Sequence, residues 1–157
     1  MPPDGSNRLR GAVRPNQRAY FAYGINMDRD EMAYRCPSAT FRGTATLDGY
    51  RFVINREGVA TLVPSSRSLV YGVLWNLTPV DEVALDLFEG VEQGFYRKQV
   101  ISARSRGREY AALIYLSSDS TPGRPRPGYL ETVCDAAKSH RFPATYVADL
   151  VALSDRG

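Results

Sequence analysis

Histidine and cysteine are nearly missing from this chain. Its 157 residues hold one histidine, His140, and two cysteines, Cys36 and Cys134. A structural zinc site draws on about four Cys or His ligands, so no metal is expected. The two cysteines share no CxxC spacing, and no disulfide framework is read from them. A Ser-His-Asp or Cys-His apparatus would have to use His140, which lies in KSHRFP, a helix end and turn, and is set aside. A P-loop and a GxGxxG are both absent, and no cofactor is expected. No apolar run approaches the roughly 20 residues that cross a bilayer. The opening MPPDGSNRLRGAVRPNQR has no apolar core of the kind a secretory leader carries. A cytoplasmic protein without a membrane partner is the resulting expectation.

Charge of one sign is also missing from the body of the chain. Four of the 20 basic side chains, Arg8, Arg10, Arg14 and Arg18, lie in residues 1–18 against Asp4 alone. That leaves 16 basic and 16 acidic side chains in residues 19–157, so there is no electrostatic case for a nucleic-acid partner. Residues 1–18 read as a disordered Arg-rich tail, and residues 19–157 as a single domain long enough to bury a core. The oligomeric state is left open, a homodimer included. With these absences, any chemistry falls to carboxylates, tyrosines and backbone.

Along the body, AYFAYG (19–24) reads as a buried strand ending at Gly24. Asn26 is placed to cap a short helix that carries Asp28, Asp30 and Glu31 and stops at Pro37. ATFRGTATLDGYRFVIN reads as two strands with a tight hairpin at Asp48-Gly49. GVATLVP (58–64) and LVYGVLWNL (69–77) read as two more, joined by a Ser/Arg loop. Thr78 and Pro79 then open a helix whose Val80, Val83, Ala84, Leu87 and Phe88 recur at helical spacing and are expected to form its buried face, with Gly90 as its stop. GFYRKQVISAR and EYAALIYLS read as strands joined through a turn at 105–108, and DSTPGRPRPG (119–128) as a loop. YLETVCDAAKSH and PATYVADLVALS read as two helices around Pro143. About seven strands in an antiparallel meander with short helices make an α+β fold, the sheet able to curl into a small barrel.

Glu89, in LDLFEGVEQGFYRK, has two readings. On a helical wheel it lies opposite the Val80/Leu87 stripe, which would make it a solvated helix end. If the helix breaks at Phe88–Gly90, it can instead work alone as an acid/base. A helix C-terminus favours the protonated carboxyl and raises its pKa, which suits a proton shuttle near neutral pH. FAYGIN (21–26) is a strand–Gly–helix corner whose backbone N–H groups could cradle an anion. Of the ten tyrosines, Tyr23, Tyr96, Tyr115 and Tyr129 fall at strand ends or loop edges. Trp75 and Phe52 read as core.

YFAYGINM, YGVLWNL, LDLFEGVEQGFY and PRPGYLETVCDAAKSHRFP, in that order, resemble the gamma-glutamylcyclotransferase family and its gamma-glutamylamine and antibiotic-processing relatives. The resemblance runs from about residue 19 to 150. It implies a small, mostly antiparallel barrel with flanking helices and a cavity at one end. It implies release of an amine from a gamma-glutamyl amide with closure of the glutamyl half to 5-oxoproline. Tyr23-Gly24-Ile25-Asn26 matches the family's Tyr-Gly-Ser-Asn loop, whose amides hold the glutamyl group. Glu89 matches the catalytic glutamate of its EGV signature. Tyr96, Tyr115 and Tyr129 match tyrosines of its cavity. Ile25 departs from the usual Ser, which keeps a backbone N–H and loses a hydroxyl. The partner implied is a small gamma-glutamyl compound. A tailoring enzyme that removes a gamma-glutamyl protecting group from a natural product, and a catalytically silent member that binds a small carboxylate, stand as alternatives.

Overall fold

The computed structural model describes residues 16–155. Of the tail expected at 1–18, residues 1–15 lie outside them, while Arg18 is the first residue of a strand and so belongs to the folded body. Five strands close into a barrel in the order β1-β3-β2-β4-β5: β1 Arg18–Ala22, β2 Thr40–Ile54, β3 Ala60–Leu77, β4 Tyr96–Ser105 and β5 Arg108–Ser117. Four short helices surround it: α1 Arg29–Arg35, α2 Pro79–Phe88, α3 Tyr129–Ser139 and α4 Ala144–Ala152. The fold is α+β and the barrel is mixed. β1 runs antiparallel to β3, Tyr20 facing Trp75, and parallel to β5, Tyr20 facing Leu113. Residues 19–22 of β1 are buried on both faces, and both edges of the strand are paired. The core gathers around Phe21, Val73, Leu74, Leu113 and Ile114. Among the described residues no helix is long and apolar enough to cross a membrane.

Seven strands were expected and five are found, because two expected turns are absorbed into long strands. Asp48-Gly49 is not a hairpin. The pairing runs through it, from Asp48 opposite Leu69 to Tyr50 opposite Pro64. Gly49 has φ 82°, and the positive φ that a tight turn would use here makes a bulge that bends β2. The four residues Ser65–Ser68, expected as a loop, lie opposite that single glycine inside β3. The ribbon turns instead at Asn55–Val59, where the Asn55 N–H donates to the Val59 carbonyl at 2.9 Å. Asn55 is fully buried. Its side-chain oxygen accepts from the Glu57 and Val59 N–H groups, and its amide donates to Ser117 Oγ and the Asp119 carbonyl at 2.9 Å each.

Two helix assignments are also corrected. Asp28, not Asn26, caps α1 by accepting from the Glu31 N–H at 3.0 Å. α2 starts as expected, with a reciprocal cap between Thr78 and Asp81, but it presents the opposite face to the core. Val80, Val83, Leu87 and Phe88 are exposed, while Asp81 and Leu85 are buried. Asp81 can be inside because its carboxylate is fully used: it accepts from the Thr78 N–H and hydroxyl and from the Ser38 N–H.

Candidate active site

The reversed face of α2 sets the position of Glu89. Residues 81, 85 and 89 are spaced four apart, so they lie along one side of a helix. Glu89 therefore continues the inward row of Asp81 and Leu85. It is the C-terminal cap of α2, its N–H donating to the Leu85 carbonyl at 2.8 Å. Gly90 follows with φ 62°, the left-handed conformation that ends helices. Glu89 does lie opposite the apolar stripe, as a helical wheel places it. The stripe is the side that meets water, and the row of Asp81, Leu85 and Glu89 is the side turned inward.

Glu89 opens onto a cavity of about 480 Å³ where the ends of β1 and β5 meet the start of β4 and the tip of the β2–β3 ribbon. Burial pushes its carboxyl up from 4.5 to about 7, and the Arg35 guanidinium pulls in the opposite direction. Withdrawal from water is the cause, in place of the helix-end field expected from sequence. The phenols of Tyr20, Tyr23, Tyr96 and Tyr129 all feel the Glu89 charge, which adds to burial in raising them. The carboxyl is thus ringed by hydroxyls that remain protonated.

Every residue that the family resemblance assigned to the site lines this cavity: Glu89, Tyr23, Gly24, Ile25, Asn26, Tyr96, Tyr115 and Tyr129. Their duties differ. Residues 25–27 form one 3-10 turn whose own hydrogen bonds begin at the Met27 N–H, donating to the Gly24 carbonyl at 3.1 Å. The N–H groups of Ile25 and Asn26 precede it. The Asn26 side chain is buried, donating to the Tyr20 hydroxyl at 3.0 Å and accepting from Arg35 at 3.2 Å. The Tyr129 hydroxyl accepts from the Ala60 N–H at 3.1 Å, and the Ile25 N–H also favours its ionised form. Tyr96 donates to the Ala60 carbonyl at 2.9 Å and Tyr23 to the Tyr115 carbonyl at 2.5 Å. The Tyr115 hydroxyl is turned to Asp86 of α2 at 2.7 Å, so that ring walls the cavity while its polar end anchors the helix. Lys98 holds the other Asp86 oxygen at 3.1 Å and also binds Glu82.

Sequence reasoning passed over Tyr20, Arg35, Asn55 and Arg126, all of which line the cavity. Tyr20 stands inside an apolar strand, where it looks like core. His140, set aside as a catalyst, is outside the lining. Its Nε2 pairs with the Met27 carbonyl at 2.8 Å and its ring stacks on Phe41 and Phe142, which braces the turn from behind. Among the described residues no group of three or more His, Cys, Asp or Glu side chains is placed to hold a metal ion.

The sequence profile of the AIG2-like family matches residues 69–150. The gamma-glutamylcyclotransferases of Homo sapiens and Mus musculus are each 30% identical over 145 residues, covering 85% of this chain and 77% of theirs. A solved structure of a gamma-glutamyl cyclotransferase superposes with a TM-score of 0.81 at 28% identity, over 87% of both chains. A yeast gamma-glutamyl cyclotransferase described as specific to glutathione superposes with a TM-score of 0.59 over 90% of this chain and 96% of its own. At 14% identity that is a likeness of fold alone.

Proposed function

The chain belongs to the gamma-glutamylcyclotransferase family, and from that membership we propose that it releases an amine or amino acid from a small gamma-glutamyl amide as the glutamyl half closes to 5-oxoproline. The observation that carries this reading is the Glu89 carboxyl, raised to about 7 inside the cavity that the Tyr23–Asn26 loop also lines.

The chemistry needs little apparatus. In a gamma-glutamyl amide the nucleophile, the α-amino group, and the γ-carbonyl carbon it attacks are in one molecule. Holding the rotamer that brings them together supplies much of the acceleration, and no serine or cysteine nucleophile is required. What is left is proton traffic. Ionised Glu89 takes a proton from the α-ammonium. The freed amine attacks, the ring C–N bond forms, and the carbonyl electron pair moves onto oxygen. As the intermediate collapses, Glu89 returns its proton to the departing nitrogen and the exocyclic C–N bond breaks. The second proton of the ring nitrogen follows to the leaving group, which departs as an ammonium, and one hydrogen stays on the lactam. A group with pKa near 7 can accept and donate in turn within one cycle. The Asn26 N–H, joined by the Ile25 N–H once that exchanges the Tyr129 hydroxyl for substrate, supplies donors for the α-carboxylate or for the oxyanion. Ile25 keeps that backbone contribution without the hydroxyl a serine would add.

The test is 5-oxoproline release, followed by mass spectrometry, from gamma-glutamyl amino acids, gamma-glutamylamines and glutathione. Glu89→Gln keeps the shape of the side chain and cannot exchange the proton, so its turnover falls by about 10²–10⁴. A variant that keeps most of the wild-type rate overturns the role of Glu89. Binding by the wild type without any release points to the silent alternative.

A further inference from the structure

Two arginines line the cavity, Arg35 and Arg126, and their commitments differ. Arg35 donates to Asn26 Oδ1 at 3.2 Å, lies 3.7 Å from Glu31, sits over the Phe88 ring at 4.8 Å and lowers the pKa of Glu89. It serves the carboxyl and the turn. Arg126 belongs to the loop between β5 and α3, which folds back on the tip of the β2–β3 ribbon. Its N–H donates to the Gly58 carbonyl at 2.9 Å, and its Nε donates to the Glu57 carbonyl at 2.8 Å. Its stem lies so close over Gly58 that a Cβ there would meet Arg126 Cγ at 2.6 Å. The stem is thus fixed, while no hydrogen bond among the described residues uses the two terminal nitrogens. The charge is close enough to favour ionisation of Tyr96, whose hydroxyl also feels Glu89.

The remaining ionisable groups of the rim leave this cation available. Asp119 accepts from the Thr121 N–H at 2.9 Å and from Arg56 Nε at 2.6 Å, which hold its carboxyl below the usual range, and Arg56 already meets its charge. It is not free to receive a cationic leaving group. Glu57 is exposed on the same turn, with a carboxylate that takes no hydrogen bond among the described residues, and it moderates the field of Arg126.

We propose that Arg126 is the specificity-determining residue for the leaving group: its fixed guanidinium binds a carboxylate carried by the departing amine. Turnover of gamma-glutamyl amides whose leaving amine bears a carboxylate then depends on Arg126, and turnover of those without one does not. The inference rests on the reaction proposed above. A planar fork whose third nitrogen is already anchored presents two parallel donors, the geometry a carboxylate accepts, and anchoring in advance reduces the ordering cost of binding.

The experiment compares gamma-glutamyl-alanine with gamma-glutamyl-alaninamide, which differ at that carboxylate alone. Wild type prefers the acid by about 10–100-fold in kcat/KM, the range for a hydrogen bond to a charged group. Arg126→Gln abolishes the preference, mainly through KM, Arg126→Lys restores part of it, and Glu57→Gln widens it. An unchanged preference in Arg126→Gln, or an equal loss on both substrates, overturns the proposal. Binding of the same two compounds to Glu89→Gln, with and without Arg126→Gln, is measured by calorimetry in parallel. Loss of the acid's binding advantage on removing Arg126 upholds this inference even where no 5-oxoproline forms and the reaction assignment fails. No binding of either compound overturns both.

Discussion

A carboxyl that titrates near 7 when folded and near 4.5 when unfolded makes Glu89 a source of instability in neutral solution. Between those values the folded chain holds a proton that the unfolded chain has released, so stability falls as pH rises from about 4.5 to 7 and then levels off. Glu89→Gln removes that dependence. The variant is expected to be more stable than wild type by up to about 3 kcal/mol at pH 8, with the gap closing by pH 4.5. Denaturant melts across that range check it, and an equal or lower stability at pH 8 contradicts the raised pKa. The position of Glu89 at the cavity was expected from its EGV setting. Arg35 and Arg126 were not, because their value lies in contacts with Asn26, Glu89 and the Glu57 carbonyl made across the fold. Nothing in the local pattern separates them from other surface arginines.

At the scale of the element, α2 is the instructive case. Its boundaries and cap were readable from Thr78, Pro79 and Gly90, since capping is chemistry between near neighbours. Its orientation was not. Periodicity assigns the apolar stripe to the core, yet Val80 is 76% and Leu87 71% exposed while Asp81 is buried. A short helix tied down at one end by Asp81, and near the other by the Tyr115–Asp86–Lys98 contacts, is oriented by its polar groups. Substitutions should therefore rank against the periodic pattern. Asp81→Ala leaves the Thr78 and Ser38 N–H groups without their acceptor and costs about 1–3 kcal/mol. Leu85→Ala costs about 2–5 kcal/mol, and Leu87→Gln stays within about 0.5 kcal/mol. Equilibrium unfolding of the three distinguishes the two orientations: a costly Leu87→Gln beside a harmless Asp81→Ala would restore the apolar stripe to the core.

For the whole molecule, fold class and element order were legible because alternation and turn chemistry are local. Strand number was not, because Asp48-Gly49 and Ser65–Ser68 carry turn signals that only the pairing of β2 with β3 overrides. Barrel closure has the same long-range character. β1 has partners on both edges, Leu113 lying 93 residues beyond Tyr20. Its central amides are expected among the slowest to exchange with solvent, opening only with global unfolding. Hydrogen exchange read by NMR tests this, and rapid exchange at Tyr20–Ala22 would mean the barrel opens along the β1–β5 seam. The seam also imposes an order of events in time. On a growing chain, β1 is made first and its second neighbour, β5, emerges after β2, β3 and β4. Tyr129, which meets Ala60 in the cavity wall, comes later still. One edge of β1 therefore waits for most of the synthesis, and the loop cost of joining such distant segments slows the final step. The cavity is among the last parts of the molecule to exist, and a chain interrupted before α3 has Glu89 in its sequence with no finished chamber for it to serve.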